Sequence, residues 1–195
     1  MGIEKQASDS SASEKRAAGC IAATSHPVLM HFRDIQQVGQ EVLVAKGFSS
    51  RPHVPVLDNH ELNLGVKNIL GSVNRLWSHG DNVLAKFTVC DGPPDDPACQ
   101  AWMRIKGGHL RGVSVGYQNL EFVDICAGQK KVVNGRTYEA SKQIMLRVVT
   151  KWRIHELSLC PVAADEHALI NHIEVPSTGG RSYFASDKDK GYFAK

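Results

Sequence analysis

Apolar and polar residues alternate in short runs through most of this chain, and helical spacing interrupts them near the middle. Gln40 to Phe48 (QEVLVAKGF), Ile69 to Trp77 (ILGSVNRLW) and Val83 to Cys90 (VLAKFTVC) are short, β-branched and bounded by Gly, Asn, Asp or Pro, and they predict strands. Leu110 to Ile125 (LRGVSVGYQNLEFVDI) alternates along most of its length, so it predicts one long strand or two successive ones. Lys131 to Val149 carries Asn134-Gly135 between apolar flanks, a two-residue hairpin signal. Lys151 to Val162 (KWRIHELSLCPV) predicts a buried strand. Asp95 to Gly107 is the helical interruption: Asp96 can cap it and Pro97 suits its first turn. Ala98, Ala101, Trp102 and Ile105 then follow at i, i+3, i+4 and i+7. Ala164 to Ile173 predicts a second, shorter helix. The sum is a mainly β fold with a few helices. Many short antiparallel strands must hide their edges, so a closed or nearly closed antiparallel β-barrel is expected.

The ends depart from this pattern. Residues 1–25 are rich in Ser, Ala, Lys and Glu with little periodicity, and predict a flexible N-terminal arm. Residues 176–195, Gly- and Ser-rich, predict a flexible C-terminal tail, leaving 26–175 as the folded domain. Both ends are candidates for self-processing.

Composition narrows the function classes. Of 195 residues, 42% are apolar and 22% charged, the balance of a globular domain. A formal charge of +3 without a Lys/Arg block reads as a solvated surface and gives no reason to expect a nucleic-acid or membrane partner. The five cysteines (Cys20, Cys90, Cys99, Cys126, Cys160) are scattered and form no CxxC pair. Neither a disulfide framework nor a zinc knuckle is expected, and reduced thiols are. Neither a secretory-signal pattern nor a bilayer-length apolar run is present, so a soluble, intracellular protein is expected.

Gly112-Val113-Ser114-Val115-Gly116 has the written form G-x-S-x-G. A hydrolase elbow needs a strand, a sharp turn and then a helix, but Tyr117 to Ile125 continues as strand. Read as a strand, the pentad places Gly112, Ser114 and Gly116 on one face. A serine flanked by two glycines there sits in an open groove that a substrate chain can enter; the alternative is glycine placed for curvature.

A serine hydroxyl needs a base, and His60 stands out among nine histidines because it sits in the turn-rich segment Pro55 to His60, before Gly71-Ser72-Val73. A third partner is expected in Arg153 to Pro161. Simple alternation gives Glu156 the face of Ile154 and Ser158, and His155 the face of Leu157, so only one of the two reaches a given site. Glu156 can accept the Nδ1 proton of His60. The alternative is a Glu paired with Arg111 or Arg153.

Taken in order, Asn59-His60 with Gly71-Ser72-Val73, then Leu110 to Tyr117, then Glu156 to Ala163, resemble the motifs of the HK97-type phage prohead proteases, relatives of the herpesvirus assemblins. The resemblance covers about residues 40–172. It implies an assemblin-like barrel protease with Ser114 as nucleophile, His60 as base and Glu156 as orienting acid, needing no cofactor or metal. It implies phage scaffold and major capsid protein as substrates, cut inside the assembling procapsid in the host cytoplasm; homo-oligomerisation stays open. Two departures stand out. The stretch after the acid strand is Pro161-Val162-Ala163-Ala164-Asp165-Glu166 where the family commonly has a Pro-Ala-Asn-Pro-like sequence. The assemblin arginine pair that helps hold the oxyanion has no counterpart at 161–170, which leaves Arg111 or backbone N–H groups near Ser114 as candidates. A catalytically silent assembly protein on the same fold is the rival expectation. A metal-dependent hydrolase finds no HExxH or clustered His/Asp spacing.

Overall fold

The computed structural model describes residues 16–174. In chain order they form β1 (Ala17–Thr24), β2 (Val28–Phe32), β3 (Gln37–Leu43), β4 (Phe48–Ser50), β5 (Pro55–Asp58), β6 (Ile69–His79), β7 (Asn82–Val89), α1 (Pro97–Lys106), β8 (Val113–Ile125), β9 (Lys130–Val133), β10 (Arg136–Glu139), β11 (Leu146–Leu159) and β12 (Ile170–Glu174). The protein is mainly β, as its alternation predicts.

The expected antiparallel barrel is not what forms. Ten strands make one mixed sheet, ordered β12-β1-β7-β6-β5-β11-β3-β2, with β4 and β8 also paired to β11, and no sheet closes into a barrel. The reason lies in the length of β11. Along one edge it takes three short strands in parallel, β3 at Leu146 to Val149, β4 at Trp152 to Ile154 and β5 at Leu157 to Leu159. Along the other it runs antiparallel to β8 from end to end. Paired on both edges, β11 buries all but a few of its residues, with Lys151 and Arg153 left exposed near its middle. The start of β8 is also stitched to the segment entering β12, by an isolated Gly112–Leu169 bridge with Val113 N–H donating to Ala168 O and Ile170 N–H to Arg111 O.

Three further expectations are corrected. The arm to Ser25 is ordered over Ala17–Thr24, which lies between β7 and β12 with nearly every residue buried. Its alanines and Gly19 lack β-branched bulk, so composition hides the strand, yet small side chains let its neighbours pack closely. The helix expected over Ala164 to Ile173 is instead a loop and β12, whose backbone groups complete the edge of β1. Gln40 to Phe48 is broken by a single 3-10 turn at Ala45–Gly47, because β11 passes so close there that a Cβ on Gly47 would stand 1.8 Å from Thr150 O. Residues 1–15 and the C-terminal tail lie outside the described residues.

Elsewhere the pattern holds. Asp96 Oδ1 accepts from Ala98 N–H at 2.8 Å, Pro97 opens α1, and Ala98, Ala101, Trp102 and Ile105 are buried. Asn134 and Gly135, at φ 50° and 78°, turn β9 into β10. The main core gathers Trp152, Phe87, Ile105, Ile154, Leu157 and Ile170. Trp152 sits between the rings of Phe48 and Tyr117 and donates Nε1–H to Val44 O at 3.0 Å. This rigid floor under β8 and β11 positions the groups on their opposite face.

Candidate active site

Two adjacent strands supply the acid and the serine. On β11 and β8, Glu156 lies opposite Gly116 and Ser158 opposite Ser114, so all four share one face. A bulge between Ile154 and Glu156 is decisive. Simple alternation put these two on one face, whereas the structure sends Ile154 into the core opposite Tyr117 and turns Glu156 the other way. Bulges re-aim side chains in this manner. Gly116 makes room for the re-aimed carboxylate: a Cβ there would come within 2.1 Å of Glu156 Oε1. The serine-flanking glycine therefore serves the acid as well as the groove.

His60 arrives from a turn directly after β5. Asn59 and His60 both adopt the left-handed region, at φ 46° and 60°, a conformation unusual for non-glycine residues and frequent at functional sites. Backbone bonds hold it: Asn59 N–H donates to Leu159 O at 3.1 Å and Glu61 N–H to Asp58 O at 2.9 Å. The His60 N–H donates to Ser158 Oγ at 2.9 Å, and that hydroxyl donates to Glu156 Oε2 at 2.8 Å. The second carboxylate oxygen, Oε1, lies 2.6 Å from His60 Nδ1. One wholly buried hydroxyl thus ties the histidine's backbone to its acid.

The three predicted residues meet as follows. His60 and Glu156 are directly bonded, with Glu156 Oε1 accepting from Nδ1–H, which leaves Nε2 to act as the base. Ser114 lines the same cavity of about 680 Å³ as His60, but the two side chains share no hydrogen bond among the described residues. Arg111 and Arg153 do not pair with Glu156; Arg111 directs its Nε toward Ile170 O at 3.4 Å. His155 lies outside the cavity lining, and burial, with the charges of Arg51 and Arg153, lowers its pKa.

The His60 side chain is 43% exposed, while that of Glu156 is 8% exposed. The Cys160 side chain and then the Glu156 carboxylate stabilise the charged imidazolium, outweigh the burial that opposes it, and raise the His60 pKa to about 10. Cys160 stands two residues beyond Ser158, just past the end of β11, and its N–H donates to Gly112 O. Among the described residues no group of three or more His, Cys, Asp or Glu is placed to hold a metal ion, and no helix is long and apolar enough to cross a membrane.

Sequence reasoning missed Ser158, Cys160 and Glu41 as members of the site. Ser158 and Cys160 carried a signal in the alternation that already singled out Glu156. Glu41, on β3, carried none, because its approach to β8 depends on the pairing of β3 with β11. In comparisons with family models, with curated proteins and with solved structures, nothing matched this chain.

Proposed function

We propose that this chain is a serine endopeptidase of prohead-protease character, trimming the arms of scaffold and major capsid protein inside an assembling phage procapsid, and its own ends as well. The observation that carries the reading is the 2.6 Å contact between His60 Nδ1 and Glu156 Oε1 on the rim of a cavity that also exposes Ser114. The motif resemblance supplies the substrate class.

In the mechanism that follows, Ser114 Oγ attacks the peptide carbonyl as His60 Nε2 takes its proton. The carbon–nitrogen bond breaks, Nε2–H returns the proton to the leaving amine, and an acyl-enzyme remains. Water then attacks the ester with His60 again as base, releasing the acid and restoring Ser114. Glu156 keeps the ring in the Nδ1–H tautomer and offsets the imidazolium charge. Incubating the full chain with scaffold and capsid-protein fragments, with products read by mass spectrometry, tests the reading; discrete cuts are expected, and intact fragments would contradict it.

Ser158 is a positioning residue in this scheme. Ser158→Ala removes an acceptor for His60 N–H and a donor to Glu156 at once, and leaving such buried groups unpaired costs about 1–3 kcal/mol. Cleavage is expected to fall on the order of 10- to 100-fold, chiefly in kcat, because the turn bearing the base loses its tether. Ser158→Thr keeps the hydroxyl and should restore part of the rate. Equal kcat in the alanine variant and the parent would remove this role.

The missing Ser114–His60 hydrogen bond favours one rival, a silent assembly protein that binds the capsid or scaffold without cutting it. Catalytic hydrogen bonds are often long without substrate and tighten in the complex. Binding of the fragments without any cut would decide for the rival.

A further inference from the structure

We infer that the cavity beside Ser114 selects a lysine or arginine side chain of the substrate, with Glu41 as the group that reads its charge; the inference rests on the peptidase reading above. Glu41 is 4% exposed and lines the cavity together with Ser114 and His60. Its Oε1 accepts from the Tyr117 hydroxyl, and its Oε2 accepts from Asn119 Nδ2 at 2.9 Å. Both donors are neutral. No Lys, Arg or His forms an ion pair with Glu41 among the described residues.

A buried carboxylate without a cation is unusual, because removing it from water is costly until a charge or strong donors replace the lost solvation. Two of roughly four acceptor positions are filled here, which leaves capacity for a donor-rich head group. Asn119 contributes only its amide N–H, since its own Oδ1 is buried and has no hydrogen-bond partner. Its amide donates to Glu41 and so keeps that oxygen turned away from the carboxylate.

Arg147, also on the cavity wall and opposite Glu41 in the β3–β11 register, turns its guanidinium to other carboxylates. Its guanidinium is held by both oxygens of Asp34 and both of Asp124, at 2.8–3.1 Å, and lies between the rings of Phe32 and Phe122. Two carboxylates already outweigh its one positive charge. Phe32, Leu43 and Val115 line the same cavity and suit the methylene stem of a long basic side chain. Ser114 and Tyr117 stand three residues apart on β8, roughly 10 Å at the rise of a β-strand, and on opposite faces, so a side chain reaching Glu41 from Ser114 passes round the edge of β8 that is not paired to β11. A short side chain held at Ser114 would not cover that span.

The test digests a mixed peptide library with the full chain and reads the residues flanking each cut by mass spectrometry. Lys and Arg should be enriched at one fixed position, on the order of 10²-fold in kcat/KM over norleucine. Glu41→Gln should flatten that enrichment while still cutting. An E41Q protein that melts with the parent yet keeps the preference, or cuts nothing at all, overturns the assignment. Cuts by the parent with no basic preference overturn it while sparing the peptidase reading. Absence of any cut, in the library and in the capsid and scaffold fragments, overturns both. Competition by p-aminobenzamidine for parent but not E41Q supplies a check that does not depend on turnover; equal binding to both would count against Glu41.

Discussion

Ser114→Ala is expected to abolish cleavage of scaffold and capsid fragments, with a rate loss on the order of 10⁴–10⁶-fold, and to leave the melting temperature where it was. Both halves follow from the site. Ser114 is half-buried on β8, and its hydroxyl makes no hydrogen bond among the described residues that alanine would break. Neighbouring Val113 and Val115, which pack into the core, are untouched. Substitutions away from packing and hydrogen-bond networks usually stay within about 0.5 kcal/mol of the parent. The nucleophile is irreplaceable for the chemistry and dispensable for the fold. Cleavage by mass spectrometry and melting by circular dichroism separate the two. A variant that cuts at the parental rate would remove Ser114 from the mechanism.

Glu156→Gln should lower kcat on the order of 10³- to 10⁴-fold, by analogy with the amide replacement of the acid in serine-protease triads. Gln fits the space, and its carbonyl can still accept. However, its amide can equally present N–H to His60 Nδ1, which stabilises the tautomer with the proton on Nε2 and disables the base. The pH profile adds a readout that a structural role would not move. A general base works only when neutral, and the folded-state pKa of His60 is raised by Cys160 and Glu156, so its rate should climb on an ascending limb alkaline of the usual histidine value near 6.5. Removing one of the two causes should shift that limb toward lower pH. A limb that stays in place, or moves upward, would contradict the pairing.

The strands were more legible than their order in the sheet. β-Branched runs bounded by turn residues marked β6 and β7, alternation marked β8, and the cap and spacing of α1 were readable because each is set by residues close in sequence. β1 was hidden because alanine-rich strands depend on neighbours rather than on their own propensity. The parallel docking of β3, β4 and β5 on β11 joins residues about a hundred positions apart, and no local pattern encodes it.

The candidate site divides the same way. Glu156 and His60 were marked by context, and their contact follows. The bulge at Ile154/Glu156 was invisible, since alternation assumes one residue per step and the bulge inserts an extra one. That a face assignment for Glu156 with Ser158 survived is due to the bulge falling before both. Alternation put Ser158 on the face of Glu156 but gave it no role. Its place under the Asn59-His60 turn emerges only when β5 and β11 lie side by side.

The most direct test of the proposed triad asks whether the Ser114 hydroxyl is activated. The full chain is treated with a fluorophosphonate, and the modified peptide is identified by mass spectrometry. The account predicts one adduct on Ser114, absent from Ser114→Ala and greatly slowed in His60→Ala and Glu156→Gln. No adduct, an adduct on another residue such as Cys160, or labelling of Ser114 that is indifferent to His60 would contradict it.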